Sequence, residues 1–313
     1  MSKIIFSLFL AGIIFGQSAG ADLTKPGIIN LKAKLQKLVA PYGQRVGLCF
    51  IDLKTGLELE INGRDAFPAA SVAKVPVMIA AFHLAEIGQT DLNKKIKFED
   101  KYKLGGSGVL QWMKAGNEYT LWNLVRLMIV LSDNTATKMV VDHLGLEAIN
   151  NYLLEIGIIQ TKIVDDTMLN EPPAPNINHT TPEDMARIMV MIKQSIIFRK
   201  DSSKEMIGFM KNQRYHWGIW RGIGPGAYVA DKTGVVGGVL NDAGIVYSPY
   251  GQYVLSIFTK TFQHNHEARL IINNASKIIY DFYASNNPKT ISSVKKGSAT
   301  SSRKSKRYVK YKR

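Results

Sequence analysis

Residues 228–260 read YVADKTGVVGGVLNDAGIVYSPYGQYVLSIFTK. Tyr228–Lys232, Ala243–Ser248 and Tyr253–Lys260 are rich in β-branched and aromatic residues, which predicts three strands. Pro249-Tyr250-Gly251 joins the last two, so they are expected to pair as an antiparallel hairpin. Far away in sequence, Arg45–Asp52 reads as a strand, Lys54-Thr55-Gly56 as a turn and Leu57–Ile61 as the returning strand. Strands therefore gather at both ends of the chain.

The segments around and between them have helical spacing. Ile28, Leu31, Leu35, Leu38 and Val39 alternate with lysines and predict an amphipathic opening helix. Ala268, Ile271, Ile272, Ala275, Ile278, Ile279 and Phe282 predict a closing one. Val75 to about Ile87 is helical and mostly apolar. Leu121–Leu131 is interrupted only by Asn123 and Arg126, which argues for a buried helix with Thr120 as its N-cap. A loop rich in Pro and Asn spans Asp165–Thr180, and Pro182 then opens a helix capped by Thr181 and running through Met191. The expected fold is α+β. One antiparallel sheet is formed by both ends of the chain and flanked by helices, and an all-helical lobe is inserted between them. A site is expected in the groove between the two parts.

The chain has 313 residues, 46% of them hydrophobic, enough to build a core without disulfide or metal staples. Its single cysteine, Cys49, excludes an intramolecular disulfide and a cysteine-based zinc site. No 18-residue apolar run occurs beyond the N-terminus, which excludes a multi-span membrane protein. The net charge of +15 invites a nucleic-acid partner. Its distribution argues otherwise. Ten of the 40 basic residues lie within 288–313, and Lys3 stands alone near the start. Residues 22–287 thus hold 29 basic against all 25 acidic side chains, a net of +4.

Lys3, the apolar run Ile4–Phe15 and Ala19-Gly20-Ala21 read as a signal peptide over residues 1–21, so the protein is expected to be exported, to a periplasm or outside the cell. Residues 22–287 would be the working domain, and 288–313 a basic disordered tail. That tail, with Tyr308 and Tyr311, suits an anionic envelope polymer or membrane surface, or simple solubilisation. A monomer without nucleic acid, metal or cofactor is expected.

Three short motifs carry the chemistry. Ser71-Val72-Ala73-Lys74 sets a hydroxyl and an amine one helical turn apart, as a serine nucleophile and a proton acceptor require. Ser132-Asp133-Asn134 follows the buried helix and offers a second hydroxyl and an amide. Lys232-Thr233-Gly234 ends a predicted edge strand with a cation, a hydroxyl and an approachable backbone. In this order and spacing, within an exported chain, the three motifs resemble the class A β-lactamase family. The likeness runs from Ala21 to Phe282 and takes in the Gly106-Ser107-Gly108 loop and the Thr180-Thr181-Pro182 helix start.

The resemblance implies that Ser71 attacks a lactam carbonyl and becomes acylated, with Lys74 as proton acceptor. Ser132 would pass the proton to the leaving nitrogen, and Asn134 would bind the substrate's side-chain amide. Lys232 and Thr233, with the close backbone of Gly234, would hold its carboxylate. The N–H groups of Ser71 and Val235 would form the oxyanion hole.

The family's deacylating glutamate sits four residues before an asparagine, and here Asp166-Thr167-Met168-Leu169-Asn170 has aspartate in its place. The resemblance still implies a catalytic role for Asp166 and Asn170. One methylene sets the carboxylate back by roughly 1 Å, which can cost about 10²-fold in a positioned reaction. Asp165 and Glu171 lack the spacing. Val164 and Asn178 replace the arginine–aspartate pair that braces the family's loop, and Arg221 is a distant candidate for the absent carboxylate-binding arginine.

The leading reading is a serine hydrolase opening β-lactams. Its alternatives are a D-alanyl-D-alanine peptidase acting on peptidoglycan stem peptides with slow deacylation, and a non-catalytic peptidoglycan-binding module. Cys49 reads as a small buried hydrophobe and His264 and His266 as solvated imidazoles. Trp112 and Met113 could either wall the groove or pack in the lobe.

Overall fold

The computed structural model describes residues 25–168, 170 and 176–286. The expected signal peptide and basic tail lie outside the described residues. Helix α1 (Lys25–Val39) leads into the hairpin of β1 (Val46–Asp52) and β2 (Glu58–Ile61). A two-residue strand β3 (Phe67–Pro68) and a 3-10 turn at Ala70–Ala73 precede α2 (Lys74–Glu86). Strands β4 (Lys95–Lys97) and β5 (Glu118–Thr120) bracket a long loop. Then come α3 (Leu121–Val130), α4 (Asn134–Leu144), α5 (Leu146–Glu155), β6 (His179–Thr180), α6 (Pro182–Gln194) and α7 (Lys200–Lys211). A 3-10 turn at Ile219–Gly222 returns the chain to β7 (Tyr228–Val236), β8 (Val239–Ser248), β9 (Gly251–Thr259) and α8 (Asn265–Ser285).

Five strands form one sheet in the order β2-β1-β9-β8-β7, antiparallel throughout. Strand β9 joins β1 from Val46↔Thr259 to Asp52↔Tyr253, so both ends of the chain meet as the sequence predicts. All seven residues of β1 are buried, because helices cover both faces. Leu31, Leu35 and Val39 of α1 and Ala268, Ile271, Ile272 and Ala275 of α8 close one face. Helix α6 lies on the other, against β1, β8 and β9, with the lobe of α2–α5 and α7 beyond it. Each fully buried Leu, Ile or Val contributes about 1.5–3 kcal/mol.

Two expectations need correction. The inserted lobe is not all-helical: Lys95–Lys97 pairs with Glu118–Thr120, and Phe67–Pro68 with His179–Thr180. Segments of two or three residues carry no legible period, and only the partner strand makes them extended. The Lys232-Thr233-Gly234 motif also does not end its strand. Strand β7 continues to Val236 and β8 begins at Val239. Gly237 and Gly238, both with positive φ, make a tight two-residue turn.

The predicted caps are present. Thr120 Oγ1 accepts from Asn123 N at 3.1 Å, and Thr181 Oγ1 accepts from Asp184 N at 3.0 Å. Asp133 is a third cap and does more. Fully buried, it accepts from Ala136 N (2.9 Å) at the start of α4 and from Val109 N (2.7 Å) and Leu110 N (2.9 Å) across the groove. One carboxylate thus ties the 105–110 loop to the end of α3. Asp133→Ala leaves three N–H groups, two of them buried, without an acceptor and is expected to lower unfolding stability by about 3–5 kcal/mol. Asp133→Asn, which keeps one acceptor oxygen, should lose less. Urea unfolding of the two variants checks the order.

Candidate active site

Ser71 sits half-buried in the 3-10 turn that opens α2. Ala70 before it has φ +46°, a conformation that costs a non-glycine residue of order 1–3 kcal/mol and clusters at working sites. The turn is held from the sheet: Asn241 Nδ2 donates to Pro68 O (2.8 Å) and Ala69 O (3.2 Å). Gly234 of β7 abuts the turn so closely that a Cβ there would lie 3.1 Å from both Ala69 O and Ser71 N. A side chain at 234 would push the strand away from the serine, so the backbone leading into Val235 runs beside the Ser71 N–H.

Lys74 is fully buried. Its Nζ donates to Ser132 O (2.6 Å) and Asn134 Oδ1 (2.7 Å) and lies 3.1 Å from Ser132 Oγ. The sequence pairs Lys74 with Ser71, whereas the hydrogen bonds of its amine among the described residues go to the 132–134 segment. Burial pushes its pKa well down, the neighbouring Lys232 charge pushes the same way, and Asp133 opposes them. An amine so placed readily gives up its proton.

Ser132 is itself in the left-handed region, at φ +52°. This turns its hydroxyl between two lysines, because Lys232 Nζ also donates to Ser132 Oγ at 3.1 Å. Lys232 donates a second bond to Thr233 O (2.7 Å). Its pKa is lowered to about 8 by burial, against the raising fields of Asp231 and Asp242. Asn134 Nδ2 donates to Gly105 O (2.9 Å) and its N–H to Ser107 O (3.0 Å), so the amide is locked between the glycine loop and Lys74. Thr233 Oγ1 reaches Gln213 Oε1 at 3.5 Å. Ser71 stands at the start of α2, while Lys74, Ser132, Asn134, Lys232 and Thr233 converge from α2, the α3–α4 turn and β7.

Asp166 and Asn170 are placed differently. The Asp166 carboxylate faces Lys138 Nζ at 3.7 Å, one turn along α4 from Asn134. Lys138 was not singled out in the sequence, although its i+4 relation to Asn134 marks the same helix face. Asn170 is exposed, and its Nδ2 donates to Asn176 O (2.8 Å) within its own loop. The brace of that loop is Asn178. Its Oδ1 accepts from Val164 N (2.7 Å) and Asp165 N (2.9 Å), and its Nδ2 donates to Asp165 O (2.9 Å). A neutral amide thus replaces the arginine–aspartate pair. Asp165 accepts from Thr167 N and Oγ1 and is absorbed in a local turn. Glu171 lies outside the described residues.

Other residues find plain roles. Trp112 is 81% exposed and Met113 is exposed beside it, so neither packs in the lobe. Arg221 is exposed on the 3-10 turn seated on α8. Cys49 is buried with its thiol pushed well up by burial, and its Sγ donates to Glu58 Oε1 at 3.5 Å. Glu58, Glu60 and Glu183 bring carboxylate oxygens within 4.8 Å of one another. Arg64 (3.0 Å) and Arg187 (2.5 Å) neutralise Glu183 there. His264 and His266 are exposed where α8 begins. Sequence reading also passed over Gln213, Asp231 and Asp242, which lie behind Lys232 and Thr233.

The model of the β-lactamase enzyme family matches residues 30–283. A β-lactamase of Rhodobacter capsulatus is 26% identical over 155 residues, 49% of this chain and 53% of that protein, about half its length. Among solved structures, a mutant of PBP-A in its acyl-enzyme complex with penicillin G is 31% identical, with a TM-score of 0.75, covering 81% of this chain and 96% of that one. A variant of a reconstructed ancestral class A β-lactamase of Gram-negative bacteria shares the fold at 23% identity and TM-score 0.74, covering 80% of this chain and 97% of that one. With its three motifs in order on this fold, the chain belongs to the β-lactamase enzyme family and is a serine β-lactamase-like hydrolase in kind.

Proposed function

We propose that this protein opens β-lactam rings through an acyl-enzyme on Ser71. The observation that carries the reading is the position of Ser132 Oγ, 3.1 Å from Lys74 Nζ and 3.1 Å from Lys232 Nζ. In its free-base form Lys74 keeps two N–H bonds, to Ser132 O and Asn134 Oδ1. Its lone pair is then left to accept a proton on the Ser132 side. Ser71 Oγ bonds to the lactam carbonyl carbon, its proton passes into the Lys74–Ser132 pair, and the pair returns a proton to the ring nitrogen as the C–N bond breaks. Lys232, cationic and dry, attracts the substrate carboxylate far more strongly than a solvated lysine would. Water then hydrolyses the ester and frees Ser71.

A second reading is favoured by the Asp166–Lys138 pair. A carboxylate shorter than glutamate and turned to an ammonium at 3.7 Å is less well placed for the second step. Acylation on Ser71 would then outlast hydrolysis, as suits a D-alanyl-D-alanine peptidase that penicillin inactivates. Both readings use the same acylation machinery and differ in the lifetime of the adduct. The substrate is a β-lactam in the first and a peptidoglycan stem peptide in the second. The sequence also suits an exported protein, and mass spectrometry of the mature N-terminus tests that expectation.

Intact-mass spectrometry after mixing with penicillin G separates the readings. Wild type is expected to gain one penicillin mass, and Ser71→Ala to gain none; an equal adduct on Ser71→Ala removes the serine mechanism. Asp166→Asn should prolong the adduct at least about 10-fold if Asp166 draws the proton from water in deacylation. An unchanged lifetime assigns that step elsewhere. The rate of adduct formation should fall above about pH 8 as Lys232 loses its charge, and fall again in acid as Lys74 gains one. A stopped-flow pH profile with a chromogenic cephalosporin measures both limbs.

A further inference from the structure

Behind the lysine clamp lies a pair of carboxyl groups that the acyl-transfer steps do not use. In the β7–β8 ladder Thr233 stands opposite Asp242 and Asp231 opposite Gly244. Side chains two apart on a strand share a face, so Asp231, Thr233 and Asp242 point the same way. Gly244 has no side chain to fill the space beside Asp231, where a Cβ would lie 2.6 Å from the Asp231 Cβ. Both carboxyls are buried, at 1% and 0% exposure. Asp242 Oδ2 accepts from Ile219 N at 2.7 Å, whereas Asp242 Oδ1 and both Asp231 oxygens have no donor among the described residues.

Two carboxylates cannot both stay ionised in such a place. Three buried acceptor oxygens without donors are costly, and one proton shared between the two groups removes both the mutual repulsion and the missing donor. Asp242 is the holder of that proton, since burial and its ionised neighbour push its pKa well up. Burial also lifts Asp231, to about 6, against the lowering effects of Gln213, Asp242, His216 and Lys232. At neutral pH the pair therefore carries one negative charge. The basic side chains near it are Lys232 on the same strand and His216 on the loop before β7, and Lys74 lies near Lys232 in turn. Gln213, fully buried, lowers the Asp231 pKa and accepts from Thr233 Oγ1 at 3.5 Å, and so links the pair to the clamp.

We infer that the Asp231–Asp242 carboxyl pair, sharing a single proton, is the positioning unit of the substrate-carboxylate clamp: it supplies the one negative charge that keeps Lys232 cationic and, through Gln213, orients Thr233. The pair touches no substrate. It acts from the rear face of the sheet. Its link to the clamp rests on the acyl-transfer reading above, whereas the shared proton does not.

The test uses Asp231→Asn and Asp242→Asn with two readouts. In protein labelled with 13C at the aspartate carboxyl, wild type should show one buried carboxyl still protonated at pH 7, absent from Asp242→Asn. Asp242→Asn places a permanent N–H where the shared proton lies and keeps an oxygen for Ile219 N–H. It should retain the alkaline limb of the acylation profile. Combining Asp231→Asn with Asp242→Asn removes the negative charge and should move that limb to lower pH by about one unit, because Lys232 then loses its proton sooner. A merely structural role would lower melting temperature in both variants and shift the limb in neither, which overturns the inference. So does a wild type with every buried aspartate ionised at pH 7. A wild type that shows the protonated carboxyl but never forms a penicillin adduct defeats the proposed function and the link to the clamp, and leaves the shared proton standing.

Discussion

The amine of Lys74 is fully buried, and much of the structure around the groove answers that one fact. A buried amine without hydrogen-bond partners is costly, so neighbours must replace its hydration. Here they are Ser132 O, Ser132 Oγ and Asn134 Oδ1, all from the α3–α4 turn. Helix α2 cannot separate from that turn without stripping the Lys74 amine of these partners. Asp133 between the two acceptors binds the turn to the 105–110 loop, and Lys232 reaches the same hydroxyl from the sheet. Hydrogen bonds from the helical lobe and from the sheet therefore meet at one serine oxygen.

Strain collects at this junction. Ala70 and Ser132 both take left-handed backbone conformations, and each adjoins or is a hydroxyl of the site. The surrounding contacts over-determine them: Asn241 holds the chain before Ser71, and Lys74 and Lys232 hold Ser132 from opposite sides. Preorganisation of this kind suits acyl transfer, in which charge develops on oxygens that must meet fixed dipoles without rearrangement. The 165–178 loop follows another rule. Its brace is the amide of Asn178, and its carboxylate Asp166 faces a lysine of α4. Lys74, Ser132, Asn134 and Lys232 are buried and linked by hydrogen bonds, while Asp166 is half-exposed and Asn170 is turned outward.

What could be read beforehand follows from the range of the physical signal. The caps at Thr120 and Thr181, the closing helix and the β8–β9 hairpin rest on neighbours within a few residues, and they appear where the spacing puts them. Strands β3 to β6 were not legible, because two or three residues have no period and owe their form to partners far away in the chain. The length of the β7–β8 hairpin was hidden for a related reason. The residues after Lys232-Thr233-Gly234 are extended because β7 and β8 pair with each other up to Val236↔Val239. Lys138, Gln213, Asp231 and Asp242 carry no motif, and only the register and the packing make neighbours of them.

The sequence by itself determined the sheet of two chain ends, the order of the three motifs and the family they belong to. These depend on local periodicity and on residue types whose chemistry is intrinsic. The tertiary structure alone decided to whom each group is bonded. It directed Lys74 to Ser132 and Asn134, set Asp166 against Lys138, turned Asn170 outward and placed two carboxyls behind Lys232. Burial shifts a proton by several pH units, and burial is created by residues distant in sequence. A list of residues can therefore name the site, but its charge states come from the packing.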